Sequence, residues 1–443
     1  MIETELDGGL RLRQATIQDI DQIAKFNGEI HEESEDEKGK IVAWTQDLMS
    51  GRHPTTSAKD FLLVETESGE IVSSTCNIPQ TWRYEDVELK VGRPELVATA
   101  SNWRKKGLVR KQFELLHKQS EANGDVMQVI TGIPWYYRQF GYSHALDLGG
   151  GRQFDFNRPG NNIKVNVEDE RFLWRRASTE DIPSLKKYYA IHSQKYLLNS
   201  VRDDDIWRFE LSDMSPNSIH EKHFWLISYR DNRPAGYIGF VTWPQSTIIN
   251  EIACEPTQSL REFALFVTRA IGRYIDETNS KTTDNEATKP MSKRLFFNCG
   301  REHPAYTALG RQLGEPSTPY AWYVRIPNVP AFLNHIQPVL ERRLGNSVLI
   351  NHTGTFKINL YEEQFLFEIK AGRITNINSY EPKSFRDGDL FFTRPEFIQL
   401  VCGHKSFDEI NNIHVDCHCR NHEAKVLVDI LFPKIPSNAM GVN

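Results

Sequence analysis

The chain has 443 residues, 39% of them hydrophobic and 25% charged, which is typical of a folded globular protein and excludes a disordered one. This length exceeds what one hydrophobic core organises and predicts two or three domains. A net charge of −6 disfavours a nucleic-acid platform, and six cysteines without disulfide-scaffold density predict a reducing, cytoplasmic location.

The first predicted elements are a short strand and a helix, and the same pattern returns later. Leu12–Ile20 and Trp174–Ile182 share Arg, Ala, Thr or Ser, Asp and Ile at equivalent positions. Each segment predicts a strand, a Thr or Ser cap and a helix with acidic residues in its first turn. A repeat with so long a period indicates duplicated domains. We expect no leader before the first copy and no membrane-spanning segment anywhere.

A basic turn containing a glycine follows the next clear strand. The strand-like run is Pro94–Ala100, and after it residues 104–110 read Arg-Lys-Lys-Gly-Leu-Val-Arg, where a long helical pattern begins near Arg104. The N–H groups of a helix's first turn lack intrahelical partners, and the helix dipole adds positive potential there. Gly107 has no Cβ, so phosphate groups can approach the main chain closely. The turn therefore predicts a phosphate-binding site.

A tyrosine motif follows one strand later. The second strand-like run is Asp125–Thr131, and Tyr137 then precedes Gly141 by four residues, with Tyr142 next. The two motifs in this order resemble the GCN5-related N-acetyltransferases (GNAT), whose acyl-CoA motif reads Arg/Gln-x-x-Gly-x-Gly/Ala. In that family a Tyr-x-x-x-Gly-Phe/Tyr segment follows. Val109 departs from the usual Gly or Ala and crowds the loop slightly. The Arg-rich form of the turn is similar to the enhanced intracellular survival (Eis-like) branch.

The resemblance implies acetyl-CoA as the co-substrate and no metal ion. It places the pantetheine arm along the edge of the first strand, the pyrophosphate on the basic turn, and the end of the partner strand beside the arm. The implied co-substrate-binding residues are Val97, Ala98, Thr99, Arg104, Lys105, Lys106, Gly107, Leu108, Val109, Arg110, Gly132 and Ile133.

The resemblance also implies a general acid and a general base. Tyr137 is the candidate acid, because a phenol stays protonated at neutral pH and only this tyrosine has the motif spacing to Gly141. In Eis-like enzymes the C-terminal carboxylate acts as the base, which here is that of Asn443, without the usual aromatic residue. A base acting through water stays open as the alternative. No cysteine falls within either motif, so we expect direct transfer in a ternary complex.

The second copy of the repeat is predicted to lack catalytic residues. The polar segment 157–162 marks the boundary before it. Its strand Ile248–Cys254 runs into Glu255-Pro256-Thr257 and a helix through Arg273, without a glycine or a basic cluster at the helix start. Aligning Leu313-Gly314 with Phe140-Gly141 places Gly310 where the first copy has Tyr137. We expect this copy to be a scaffold.

The last third of the chain predicts a meander and helices. Alternating polar and apolar residues predict strands at 347–350, 355–360, 364–369 and 373–377. Helical patterns lie near 330–343 and at 395–402, with residues 407–410 beyond them. This order resembles the sterol carrier protein fold that closes Eis-like chains. We expect its interior to be filled by side chains.

A histidine- and cysteine-rich run near the C-terminus invites a zinc interpretation. As a strand, Ile413, Val415, Cys417 and Cys419 would face one side and His414, Asp416 and His418 the other. A ligand set divided between two faces does not close one tetrahedron. We therefore expect no metal here.

Together these patterns predict an α+β protein with two tandem GNAT-fold domains and a sterol-carrier-like domain. The predicted domains are a catalytic one at 1–157, a degenerate copy at 158–328 and the C-terminal one at 329–443. The expected function is acetyl transfer to a primary amine of a small molecule, aminoglycoside-like, or of a lysine side chain. The acidic run Glu32–Glu37 would suit a polycationic acceptor.

Family resemblance further implies a homo-oligomer, a hexamer, and no nucleic-acid or membrane partner. Two alternatives stay open: a non-catalytic protein that binds a lipid or other ligand in its C-terminal domain, and a tandem GNAT-fold aminoacyl transferase. The intact Arg-x-x-Gly turn and the C-terminal meander count against the second alternative.

Overall fold

Three β-sheets organise the chain in a computed structural model that describes residues 3–161, 165–281 and 291–441. The elements up to residue 155 are β1 (Glu3–Leu6), β2 (Leu10–Gln14), α1 (Ile20–His31), α2 (Glu35–Met49), β3 (Phe61–Thr66), β4 (Ile71–Tyr84), β5 (Val87–Thr99), α3 (Leu108–Ala122), β6 (Met127–Ile130), β7 (Ser143–Leu148) and β8 (Gly151–Asp155).

The next elements run to residue 325. They are β9 (Phe172–Arg176), α4 (Ile182–Ser193), β10 (Leu198–Ser200), α5 (Asp204–Arg208), β11 (His223–Tyr229), β12 (Pro234–Trp243), β13 (Ser246–Cys254), α6 (Leu260–Lys281), β14 (Arg294–Phe297), α7 (Pro304–Leu309), β15 (Leu313–Ser317) and β16 (Tyr320–Arg325).

The remaining elements form the C-terminal part. They are α8 (Val329–His335), α9 (Gln337–Gly345), β17 (Gly354–Asn359), β18 (Gln364–Lys370), β19 (Arg373–Ser379), β20 (Leu390–Phe391), α10 (Arg394–Val401), α11 (Phe407–Asn411), β21 (His418–Cys419) and α12 (His422–Leu431).

The first two sheets have equivalent strand orders and exchange a strand. The first sheet runs β1-β2-β3-β4-β5-β6-β16-β7, with β10 paired to β4, and the second runs β9-β11-β12-β13-β14-β8-β15. Each contains one parallel pair, β5–β6 or β13–β14, followed by an antiparallel strand contributed by the other half of the chain. Consequently neither sheet is complete without the other half.

Each predicted domain boundary lies just after one of the two exchanged strands, β8 and β16. The boundary after residue 157 falls just beyond β8, and the boundary after residue 328 falls just before α8. Since β8 lies in the second sheet and β16 in the first, both sheets draw strands from both sequence segments. Asn162, at the end of the predicted linker, lies outside the described residues.

The sequence repeat corresponds to the same helix start in both halves. Arg13 donates two hydrogen bonds to the carboxylate of Asp19 (2.7 and 2.9 Å), and the N–H of Thr16 donates to the same carboxylate at 2.7 Å. Arg175 and Asp181 repeat this pairing at 2.7 Å. Each Asp thus closes a capping box over the short helical turn before α1 or α4. The repeated sequence pattern therefore forms the N-terminal cap of a helix in each half.

Helices cover both faces of the first sheet, which explains why β4 is buried along nearly its whole length. On one face Ile23 of α1 and Trp44 and Leu48 of α2 pack against β3 and β4. On the other, Leu108 and Leu116 of α3 pack against β2 and β3, at a spacing that places them on one side of the helix. This packing fixes the N-terminus of α3 beside the end of β5.

The third sheet has the order β19-β18-β17-β20-β21 and shares a continuous core with the first. Its interior is filled by aromatic side chains: the Phe397 ring lies 5.6 Å from that of Phe365, 6.1 Å from Phe392 and 5.9 Å from Phe432, between centroids. Three of the four predicted strands are confirmed as β17, β18 and β19. The fourth, at 347–350, is wrong, because this segment forms turns after α9.

Two further predictions for this part need correction. The single helix predicted at 330–343 is in fact two helices, α8 and α9. The second begins at Gln337, with Pro338 in its first turn. The strand assumed for residues 413–419 is wrong except for β21. Ile413 and Val415, expected to share a face with buried Cys417, are 72% and 89% exposed. The predicted helix at 395–402 is confirmed as α10.

Within the described ranges, no helix combines the length and apolar character needed to cross a membrane.

Candidate active site

A cleft opens where β5 and β6 separate. The two strands pair in parallel only at Val91–Met127 and Gly92–Gln128, and β5 then continues to Thr99 without β6 beside it. The resulting space has a volume of about 750 Å³. Its lining comprises Ile30, His31, Glu95, Leu96, Val97, Thr99, Trp103, Arg104, Lys105, Gly107, Leu108, Val109, Arg110, Thr131, Gly132, Ile133, Tyr136, Tyr137, Gln139 and Phe140.

A β-bulge exposes the edge of β5 to this cleft. Leu96 has a φ of +51°, and the pairing with β4 shifts between Ser74, opposite Ala98, and Cys76, opposite Glu95. The N–H of Ala100 donates to Val72 on β4 (3.0 Å). Because backbone groups alternate in direction along an antiparallel pair, those of Val97 and Thr99 face the cleft. An extended ligand can thus pair with this edge as an added strand.

The turn after β5 places a helix N-terminus at one end of the cleft. Lys105 and Gly107 have φ values of +64° and +79°, and Gly107 is the N-cap of α3. A Cβ built on Gly107 would meet no atom within 4 Å, so the glycine leaves the approach to the backbone open. Lys111 donates its N–H to the Gly107 carbonyl (3.1 Å), and the N–H groups preceding it belong to the unpaired first turn. The arrangement suits an anionic group such as a phosphate.

The basic side chains of the turn are held in different ways. The Nε of Arg104 donates to the Thr99 carbonyl at 3.2 Å, and Arg110 donates to Gln139 at 3.0 Å. The ammonium of Lys106 lies 4.2 Å above the Trp103 ring. The Lys106 side chain lies outside the cleft lining, although Trp103 belongs to it. The side chain of Ala98 is buried and does not line the cleft either.

Tyr137 stands inside the cleft wall on the short helical turn Tyr136–Phe140. Its side chain is only 5% exposed, and its ring stacks against Phe113 with a centroid distance of 5.9 Å. Gly132, with a φ of +126°, leaves room for this ring, since a Cβ there would lie 3.1 Å from it. Burial raises the pKa of Tyr137, with a smaller contribution from Glu95. The phenol is therefore a proton donor at neutral pH.

A residue from the exchanged strand supports this tyrosine. Tyr323 of β16 packs with its ring centroid 6.4 Å from that of Tyr137. Its hydroxyl accepts a hydrogen bond from the N–H of Trp135 at 3.1 Å, which holds Trp135 at a φ of +73°. The late segment of the chain thus helps to fix the turn that carries Tyr137.

Two ionisable residues of the cleft were missed from the sequence. Glu95 precedes the bulge and pairs with Arg93 at 2.7 Å, while Thr131 donates to it at 3.4 Å. His31 ends α1 near Glu95. Solvent reaches the His31 ring, yet the surrounding cleft wall lowers its pKa by desolvation. A charged residue inside the otherwise mostly apolar run Pro94–Ala100 is the signal in the sequence that could have identified Glu95.

The other predicted catalytic residue, Asn443, lies outside the described residues. The described tail passes β10, where Asn438 donates its N–H to Leu198 at 3.0 Å, and then accepts a hydrogen bond from the Trp322 indole on Ala439 at 2.9 Å. Gly441 lies against the guanidinium of Arg93, the partner of Glu95. The tail therefore reaches the residues behind the cleft.

Residues 11–145 match the model of a family described as an acetyltransferase (GNAT) domain. This segment contains β5, the turn at Gly107 and Tyr137. No match was found among the curated proteins.

Solved structures share the fold over nearly the whole chain. A GCN5-related N-acetyltransferase from Anabaena variabilis ATCC 29413 superposes with a TM-score of 0.69 at 12% identity, covering 97% of this chain and 99% of the other. A probable N-acyltransferase from Enterococcus faecalis V583 gives 0.67 at 11% identity, over 96% and 98%. Eis1 from Mycobacterium abscessus gives 0.62 at 9% identity, over 98% and 99%. The α+β architecture with two equivalent sheets and a third sheet is thus also found in GNAT structures.

Proposed function

We propose that this protein transfers the acetyl group of acetyl-CoA directly to a primary amine. The observation that carries the proposal is that the glycine turn of α3, the bulged edge of β5 and the buried Tyr137 all line one cleft. The match of residues 11–145 to an acetyltransferase domain supports the same chemistry.

In this proposal the co-substrate lies along the predicted residues. The N–H groups of Leu108, Val109 and Arg110 hold the pyrophosphate, and the positive charges of Arg104–Lys106 add attraction. The pantetheine arm pairs with the backbone of Val97–Thr99, where Ala98 contributes only its main chain. Gly132 and Ile133 border the arm on the β6 side.

The reaction then requires few groups. The amine nitrogen attacks the thioester carbonyl carbon, a C–N bond forms, and the C–S bond breaks. The N–H of Val97 stabilises the charge that develops on the carbonyl oxygen. Tyr137 gives its proton to the departing thiolate. Its raised pKa keeps the phenol protonated until the thiolate forms but makes it a weaker acid, so the transfer requires a thiolate that is also desolvated in the dry site. No cysteine belongs to the described lining of the cleft, so the transfer involves no acetylated cysteine.

The attacking amine must lose a proton, and we assign this step to Glu95 together with His31. Both line the cleft, and the lowered pKa of His31 keeps its imidazole neutral and able to accept a proton near pH 7. Proton transfer through a water molecule to this pair is consistent with the water-mediated alternative. A role of Asn443 as base stays a prediction.

We infer that the acceptor is cationic. The acidic segment Glu32–Glu37 continues directly from His31 at the cleft. Lys38 and Lys40 pair with Glu35 and Asp36 (2.7 Å each), which leaves the charges of Glu32, Glu33 and Glu37 to attract an acceptor. A small molecule with several amines, aminoglycoside-like, or a lysine side chain would fit this potential.

We also infer the following organisation: an acyl-transfer unit at 1–157, a non-catalytic unit at 158–328 and a sterol-carrier-like unit at 329–443, assembled as a homohexamer in the cytoplasm. The six unpaired cysteines are consistent with a reducing compartment. Light scattering on the purified protein measures the assembly, and a monomer would contradict the hexamer.

The enzyme is tested by incubating the full chain with acetyl-CoA and a panel of amines while free thiol is measured. We expect thiol release that depends on both substrates, together with one acetyl-CoA site per chain in calorimetry. Binding without thiol release for any amine would limit the protein to a binding role. The absence of binding would overturn the proposal.

A further inference from the structure

Three side chains with metal-ligand chemistry meet at the junction of the first and third sheets. His144 and Asp147 belong to β7, at the edge of the first sheet, and His404 follows α10 of the C-terminal part. One donor atom from each lies within 4.8 Å of those of the other two. Nδ1 of His404 is 3.9 Å from an oxygen of Asp147, and the two imidazole centroids are 4.8 Å apart.

One ring nitrogen in this cluster has no hydrogen-bond partner within the described ranges. Nε2 of His144 is buried and has no hydrogen-bond partner among the residues that the structure describes. A buried imidazole nitrogen without a partner costs free energy unless a proton donor or a metal ion satisfies it. His144 therefore keeps one buried ring nitrogen that no described residue satisfies.

The remaining partner of Asp147 is compatible with metal binding. Arg301, from the second half of the chain, lies 3.3 Å from Oδ2, whereas the approach of His404 is to Oδ1. A carboxylate that binds a metal through one oxygen commonly accepts a hydrogen bond on the other. Arg301 thus occupies the position of an outer partner.

The other charges around the cluster are cationic. Lys405 lies near both histidines, Arg301 faces His404, and Arg138 faces His144. Metal ligation requires both imidazoles in their unprotonated form. Two imidazole nitrogens and one carboxylate would bind the cation. The nearby cationic side chains would repel it.

We propose that His144, Asp147 and His404 bind one Zn²⁺-type divalent transition-metal ion. Two imidazoles and a carboxylate are a donor set that zinc accepts, with a fourth position left for water. Bonds of about 2.0–2.2 Å put donors about 3.4 Å apart in a tetrahedron, so the donor atoms must approach one another by up to about 1.4 Å on binding.

The bound ion joins parts of the chain that are distant in sequence. It ties β7 to the segment after α10, and Arg301 brings in the second half. The site also adjoins the acyl-transfer cleft, since the rings of His144 and Tyr323 are 6.2 Å apart and Tyr323 supports Tyr137. The proposal is nevertheless independent of acetyl transfer, because its ligands lie outside the cleft lining.

The test uses the full chain after treatment with a chelator, titrated with Zn²⁺ by calorimetry. We expect one equivalent to bind with micromolar or tighter affinity and to raise the melting temperature. His404→Ala and the near-isosteric Asp147→Asn should each weaken binding at least tenfold and abolish the thermal shift. Co²⁺ bound in place of Zn²⁺ should give visible absorption that reports nitrogen and oxygen ligation and that is lost in both variants.

His414→Ala is the matched control. His414 also lies near a carboxylate, 3.8 Å from Glu396, but belongs to no three-residue cluster of donors among the described residues. This variant should bind Zn²⁺ like the parent protein. Failure of the parent to bind one equivalent, or equal binding by parent, His404→Ala and Asp147→Asn, would overturn the proposal. Acetyl-CoA titration of the same samples shows separately whether the cleft is intact.

Discussion

The two equivalent sheets differ at the place where their parallel strands separate. In the first sheet the space beyond the β5–β6 pair is the open cleft. In the second, the space beyond β13–β14 is filled: the Tyr306 hydroxyl accepts the N–H of Cys299 at 3.1 Å, and the rings of His192 and His303 lie 5.2 Å apart. Asn438 of the C-terminal tail closes it by donating to the Cys299 carbonyl at 3.2 Å.

The helix that follows each strand differs in the same way. Gly107 caps α3 with open space around it, whereas α6 follows Glu255-Pro256 and Glu255 is paired with Lys187. The first turn of α6 is capped by the chain itself, since the Ser259 hydroxyl accepts the N–H of Glu262 at 3.3 Å. The same sheet geometry therefore leaves an open cleft in one half of the chain and is filled by side chains in the other. Substitutions in the two halves test this difference.

The largest effect is expected from Gly107→Glu. The new side chain projects toward the phosphate position, adds a negative charge and forces a left-handed φ of +79° on a residue with a Cβ. We expect acetyl-CoA affinity to fall at least 100-fold in calorimetry. Gly51→Glu is the control, because its φ is +81° and its surroundings are equally open, but it lies outside the cleft. Equal losses in both variants would mean that folding, not the turn, was affected.

Tyr137→Phe should next reduce turnover. Loss of a general acid typically costs about 10²–10⁴-fold, and acetyl-CoA affinity should change little because the ring remains packed. Turnover is measured by thiol release under conditions where chemistry limits the rate. Tyr136→Phe, the neighbouring cleft tyrosine, should retain activity. Full turnover by Tyr137→Phe would show that another group protonates the thiolate.

Tyr306→Phe addresses the filled space of the second sheet. The substitution leaves the buried N–H of Cys299 without its acceptor, which costs about 1–3 kcal/mol of folding free energy. Denaturant unfolding measures this loss, while acetyl-CoA affinity should stay that of the parent. A variant with unchanged stability but weakened acetyl-CoA binding would contradict the assignment of this space to packing.

The smallest effects are expected at the repeated caps. Arg13 pairs with Asp19 and also with Glu65 (2.8 Å), and its side chain is 16% exposed against 58% for Arg175. Arg13→Ala should therefore cost about 1–3 kcal/mol, and Arg175→Ala less, because solvent screens the second pair. Chemical denaturation at pH 7 ranks the two, and the reverse order would refute this account.

The same pair predicts a pH dependence. Arg13 lowers the pKa of Asp19 from 3.8 to about 2. A depressed carboxyl pKa stabilises the folded state above the unfolded value, and this contribution disappears as the pH falls from about 4 to about 2. The difference in unfolding free energy between the parent and Arg13→Ala should therefore become smaller as the pH falls through this interval. A constant difference down to pH 2 would contradict the assigned pairing.

Local chemistry allowed much of this protein to be predicted from its sequence. The turn at Gly107 and the repeated caps each depend on a few neighbouring residues; the caps form in both halves, and Gly107 lies at the start of a helix. The basic turn begins its helix at Leu108 instead of Arg104, because Gly107 is the cap. The predictions failed where contacts with other segments decide the conformation, as at residues 347–350, which form turns instead of the predicted strand.

The tertiary structure alone decided how these pieces are combined. The exchange of β8 and β16 follows from pairings between distant residues, which no local pattern encodes. It brings Tyr323 to Tyr137 and, with α10, brings His404 to His144 and Asp147. The sequence determined which residues can bind phosphate, cap helices or donate protons, because those properties belong to single residues and short spacings. Their meeting in one cleft or one cluster depended on long-range packing, because contact between distant segments is a property of the whole fold.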